Sequence, residues 1–109
     1  MKKFIKMMAL TAAAIGMSAG AAVAEPLKVG FLYLTTPGDH GWTYAHELAR
    51  QEVQAHFGDK VETTFVENVP EGPDAERVVR ELARQGNQVI FGTSFGYMDP
   101  MLKLSLIHI

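Results

Sequence analysis

The sequence predicts an α/β fold in which a parallel sheet carries helices on its faces. Three observations predict it. Between residues 25 and 103, short apolar runs alternate with amphipathic stretches of helical length in the order β-α-β-α-β. The runs are rich in Val, Leu, Phe and Tyr and alternate little, as strands covered on both faces do. Gly58 and Gly86 stand where the two helical stretches end.

Leu27–Leu34 is the first strand, broken by Thr35-Thr36-Pro37-Gly38. A helix is predicted from Thr43 to Phe57, with Ala45, Leu48, Ala49, Val53 and Phe57 as the stripe expected to face the core. Lys60–Val66 is the second strand, and Asn68–Pro73 is loop. The second helix starts at Asp74 as N-cap, with Glu76 in its first turn. Its core stripe is Ala75, Val78, Val79, Leu82 and Ala83, while Arg77, Arg80, Glu81 and Arg84 form a solvated face. Gln88–Gly92 is the third strand. There is no internal repeat and no low-complexity linker. Right-handed crossovers join such units, and with the first strand between the other two, the loops after strands one and three lie side by side.

The chain's two ends read differently from its middle. Lys2, Lys3 and Lys6 precede an uncharged stretch from Met7 to Ala21, and Ala22-Val23-Ala24 has the small-x-small pattern of a cleavage site. Residues 1–24 are therefore expected to be a signal peptide, removed before Glu25, and the mature protein to be periplasmic. An uncleaved anchor is the alternative; its stretch is mostly Ala, Gly, Ser and Thr. No cysteine is present, so neither a disulfide nor a lipid-bearing thiol at the cleavage site is available. Residues 25–103 hold seven Lys and Arg against twelve Asp and Glu, a net charge of −5, which argues against nucleic acid as a partner. Three strands and two helices are too few to cover both faces of a doubly wound sheet. Leu104-Ser105-Leu106-Ile107-His108-Ile109 matches the translation of a transposon-end sequencing adapter. Residues 104–109 are accordingly expected to be library read-through, with the gene continuing after Lys103. A natural apolar C-terminal strand is the alternative.

The chemistry concentrates in two loops, Gly38-Asp39-His40-Gly41-Trp42 and Ser94-Phe95-Gly96-Tyr97-Met98-Asp99-Pro100, each at the carboxyl end of a strand. Asp39 either accepts hydrogen bonds from ligand hydroxyls or caps the helix that follows. Trp42, the only tryptophan, either stacks on a flat ligand or packs over the sheet edge. Phe95, Tyr97 and Met98 share one loop and cannot all be core, so one or two are expected to wall a cleft. Gly96 permits a close backbone approach, and Asp99 caps the next helix or touches ligand. A metal site is not expected: His40 and His46 do not share a helix face, and no His-Glu-x-x-His or Cys/His set occurs. Ser94 lacks the Gly-x-Ser-x-Gly elbow of a hydrolase.

Four blocks together resemble the basic membrane protein family of ABC-importer substrate-binding proteins, of the purine nucleoside receptor type. They are Lys28-Val29-Gly30-Phe31; Gly38 to His46; Val66-Glu67-Asn68-Val69-Pro70-Glu71-Gly72; and Thr93 to Pro100. The resemblance spans Leu27 to Lys103. It implies a flavodoxin-like parallel sheet of the type I periplasmic-binding-protein kind, of which this chain is the first β-α-β-α-β part of the N-terminal lobe. It implies a small-molecule solute, a purine nucleoside or base, held between two lobes and delivered to an inner-membrane ABC permease, with no cofactor and no catalysis. In nucleoside-binding members an Asp-x-x-aromatic element contacts the ligand, which maps onto Asp39 and Trp42. Thr43 stands where those members often carry asparagine, and the missing cysteine departs from their common lipoprotein form. The expected ligand set is Asp39, Trp42, Thr43, Phe95, Gly96, Tyr97 and Asp99. A sensory binding protein of the same fold, or an exported nucleoside hydrolase using Asp39 and Asp99, are the alternatives.

Overall fold

A computed structural model describes residues 24–107, without the side chains of Leu106 and Ile107. The expected signal peptide, apart from Ala24, lies outside the described residues, as do His108 and Ile109. The order of elements is β1 (Leu27–Leu32), α1 (Trp42–Phe57), β2 (Val61–Val66), α2 (Pro73–Arg84), β3 (Val89–Gly92) and α3 (Met98–Ile107). Short 3-10 turns at Gly58–Lys60 and Phe95–Tyr97 precede β2 and α3. The strands are parallel in the order β2-β1-β3, and Leu32 pairs with both Val66 and Gly92. All three strands therefore end at one level, with their following loops at one edge of the sheet. This is the α/β, flavodoxin-like arrangement that the sequence predicts. Residues 104–107 continue α3 rather than form a strand, and Leu104 is buried.

Helix α2 follows its sequence pattern. Ala75, Val78, Val79 and Leu82 pack with Leu32, Val69, Tyr97 and Leu104 into one core, while the basic and acidic positions stay outside. Two details differ. Ala83, at the end of the stripe, is exposed. The N-cap lies two residues earlier than expected: it is Gly72, Pro73 fills the first helical position, and Asp74 makes no cap bond. Proline suits that position because its missing N–H would have no helical partner there.

Helix α1 contradicts its pattern. Ala45, Leu48, Ala49 and Phe57 are exposed, and only Val53 reaches the second core of Val29, Phe31, Tyr33 and Val61. The face turned to the sheet is polar: Thr43, Glu47, Arg50 and Gln54, spaced at helical intervals. Their partners explain the rotation. The Tyr33 hydroxyl donates to Glu47 Oε2 at 2.8 Å. Arg50 grips the same carboxylate with Nε at 2.7 Å and Nη2 at 2.5 Å, and reaches Thr63 Oγ1 at 2.8 Å. The guanidinium also lies 5.0 Å from the Phe65 ring centre. Gln54 donates to Val61 O at 2.7 Å and accepts from Thr63 N at 2.9 Å. Its amide thus pairs with β2 as a neighbouring strand would, which blunts an open edge. Hydrogen bonds to charged groups, each contributing about 1.5–3 kcal/mol, hold this polar face against the sheet in place of the apolar stripe.

Candidate functional site

The three loops beyond the strand ends are tied to one another, and the ties define the site. Asn68, after β2, donates from Nδ2 to Thr36 Oγ1, after β1, at 2.9 Å. The Trp42 indole N–H, at the head of α1, donates to the Thr93 carbonyl, after β3, at 2.6 Å. Ser94, after β3, donates from its hydroxyl to Glu71 Oε1, after β2, at 2.5 Å. Each loop is therefore bonded to both others. Beneath them, Val69 N donates to Tyr33 O at 3.0 Å, and Thr93 Oγ1 to Leu32 O at 2.6 Å. Loops usually move more than the elements they join; these are pinned as a ring.

The expected ligand residues separate into two groups. Trp42, Phe95, Asp39 and Asp99 are exposed at this edge; Trp42 is 68 % and Phe95 87 % accessible. Asp39 does not cap α1, whose N-cap is Gly41 with no side-chain bond. Its carboxylate is instead paired with His40 Nδ1 at 2.5 Å, and both side chains are more than 90 % exposed. Gly41 has φ 98° and ψ −169°, a conformation that only glycine adopts without strain. That turn brings Trp42 into the first position of the helix. The indole is held on its other side by His46, whose ring centre is 4.7 Å away. His46 Nδ1 donates to the Trp42 carbonyl at 2.8 Å, since a carbonyl only accepts.

Tyr97 and Thr43 form the second group and are buried. Tyr97 is fully buried among Leu32, Val69 and the α2 aliphatics, and its hydroxyl donates to Val69 O at 2.6 Å. Burial, with the Glu71 charge adding to it, pushes that hydroxyl's pKa up to about 12. A 3-10 turn places every third side chain on one side, which sends Tyr97 inward while Phe95 and Met98 stay out. Thr43 is buried with its hydroxyl 2.7 Å from that of Thr35. It joins the end of β1 to the start of α1 and offers no free surface. Gly96 lies under the Glu71 carboxylate, which a Cβ there would strike.

Sequence reasoning missed Glu71, Asn68 and Thr93 as site-building residues. The signal was available in the Val-Pro-Glu-Gly turn, which lies at the same sheet edge as the other two loops. A mostly apolar groove lies elsewhere, between α2, α3 and β3, lined by Val79, Ala83, Ile90, Met101 and Leu104 together with Arg80, Arg84, Gln88 and Ser105. It lies along β3, an edge strand of the described sheet, away from the loops beyond the strand ends. Among the described residues, no three His, Cys, Asp or Glu side chains converge as metal ligands.

Residues 27–106 match the model of a family described as ABC transporter substrate-binding protein, PnrA-like. The chain belongs to that family. Among its relatives, a purine-binding protein of Brucella abortus is 54 % identical over 99 residues, covering 91 % of this chain and 28 % of the relative. A protein of Haloferax volcanii named as an ABC transporter glucose-binding protein is 42 % identical over 86 residues, covering 79 % of this chain and 22 % of the relative. The chain thus spans about a quarter of the length of these two relatives. The ring of loops lies at the carboxyl ends of the strands, the edge at which open α/β sheets in general bind ligands.

Proposed function

We propose that this chain supplies the first wall of a solute cleft in a periplasmic substrate-binding protein, and that the solute is a purine base or nucleoside. The observation that carries the reading is the fixed indole of Trp42. Its N–H is engaged by Thr93 and one neighbour is His46, yet most of the side chain is exposed. An aromatic plane immobilised before the ligand arrives is suited to stacking on a flat heterocycle, because little ordering is left to be done on binding. Phe95 adds a second exposed aromatic at the same edge, and Asp39 a carboxylate that accepts hydrogen bonds. The first-turn N–H groups of α1 and α2, neither capped by a side chain, add donors. The name of the Brucella relative supports the purine assignment.

In this reading the solute is stacked and hydrogen-bonded without chemical change, then released to an ABC permease. The name of the Haloferax relative favours a second reading, in which the ligand is a sugar lying flat on the same indole. Calorimetry of the complete gene product with adenine, adenosine and D-glucose separates them. One-site binding of a purine without release of free base from adenosine is expected. Saturation by glucose alone would replace the purine assignment, and turnover of adenosine would replace transport with hydrolysis.

A further inference from the structure

Glu71 is the most constrained carboxylate at the ring of loops, and the ligand set read from the sequence does not include it. It lies in the turn before α2, exposed, with its Oε1 taken by the Ser94 hydroxyl at 2.5 Å. Its carboxylate rests on the backbone of Gly96, in space that any side chain at that position would occupy. The negative charge is near enough to Tyr97 to act on the buried phenol. Asp39 contrasts with it: that side chain is more than nine-tenths exposed and is held only by the equally exposed His40. Exposed ion pairs of that kind contribute little and fix little.

We infer that Glu71 is a ligand-binding residue, its carboxylate held by Ser94 over Gly96 to accept an N–H or O–H of the solute. The assignment rests on the solute-binding reading above and deepens it by naming a selecting residue. An ionised carboxylate accepts and never donates. Oε2 lies against Gly96 and makes no hydrogen bond among the described residues, which leaves its lone pairs to accept from a ring N–H, an exocyclic amine or a sugar hydroxyl. A solute with only acceptors at that position is rejected, because the site would bring acceptor against acceptor. The turn that carries Glu71 is bonded to both neighbouring loops, so the group is placed before the ligand arrives.

The test is Glu71→Gln in the complete gene product, titrated with adenine, adenosine and D-glucose beside the parent protein. The glutamine amide oxygen can still accept from Ser94, so a purely structural tie is retained while the charged acceptor is lost. Binding of whichever probe the parent takes should weaken roughly tenfold or more, with the melting temperature unchanged. Ser94→Ala should weaken it less, since it frees the carboxylate without removing it. Parent-like affinity of Glu71→Gln for a probe that the parent binds would overturn the assignment and leave the solute-binding reading standing. A parent protein that takes only glucose would overturn the purine reading, and the same ratio measured with glucose would still decide on Glu71. Binding of none of the three would overturn both.

Discussion

Helices α1 and α2 cover opposite faces of the same strand, β1, by opposite means. On one side, α2 buries Val78, Val79 and Leu82 against Leu32 and Val69. On the other, α1 turns Glu47, Arg50 and Gln54 to the sheet and leaves Leu48 and Phe57 outside. Apolar burial is non-directional and tolerates small rotations of a helix. A bidentate guanidinium–carboxylate pair bonded also to Tyr33 and Thr63 tolerates far less. The difference falls where the site needs it. α1 carries Trp42 in its first turn, and each residue of slip would swing the indole by about 100°. Directional bonds along α1 therefore set the orientation of the aromatic at the ring of loops, whereas α2 has to anchor only the Glu71 turn.

Breaking α2 should have the largest effect on stability. Leu82, 2 % exposed, is at the centre of its packing. Leu82→Ala should cost about 2–5 kcal/mol in urea unfolding of the complete gene product. Glu47→Ala comes next. It strands Arg50 and the Tyr33 hydroxyl with reduced partners and should cost about 2–4 kcal/mol. Unlike Leu82→Ala, it should also shift the fluorescence of Trp42 while the protein is still folded.

The same pair has a pH signature. The Arg50 hydrogen bond, helped by those from Gln51 and Tyr33, holds the Glu47 carboxyl at about 2 against an ordinary 4.5, overcoming the opposing effect of burial. A depressed folded value means that the stabilisation is complete above the unfolded value near 4.5 and is lost as pH falls toward 2. Between pH 5 and pH 2 the parent should lose roughly 2 kcal/mol more than Glu47→Gln does in the same unfolding assay. The smallest effect sharpens the comparison most. Leu48→Ala should change stability by less than about 0.5 kcal/mol, as surface substitutions do. A loss of about 2 kcal/mol or more would mean that Leu48 is a core residue and that α1 is rotated from the orientation described.

The sheet, its parallel order and α2 were legible because each rests on a periodic signal: continuous apolar strands, and Ala75, Val78, Val79 and Leu82 at core spacing. The rotation of α1 was not. Two of its five stripe positions, Ala45 and Ala49, have little area to bury, and the polar side carries groups whose partners, Tyr33 and Thr63, are distant in sequence. Hydropathy registers neither. Of the site, the two aromatic loops were legible because Trp42 and Phe95 are large apolar residues just beyond strand ends. The inward direction of Tyr97 was not legible, because a 3-10 turn separates it from that of Phe95. Glu71 was missed because a carboxylate in a turn reads as solvated until the loop opposite is seen to offer Ser94 and a bare Gly96.

The most direct measurement is the emission of Trp42, taken as the signal that Trp42→Phe removes, while adenine is titrated into the complete gene product. Saturable one-site quenching that disappears with the indole is the predicted result. Full adenine binding by Trp42→Ala, or no response of the indole to adenine at any concentration, would contradict the claim that this ring of loops holds a stacked purine.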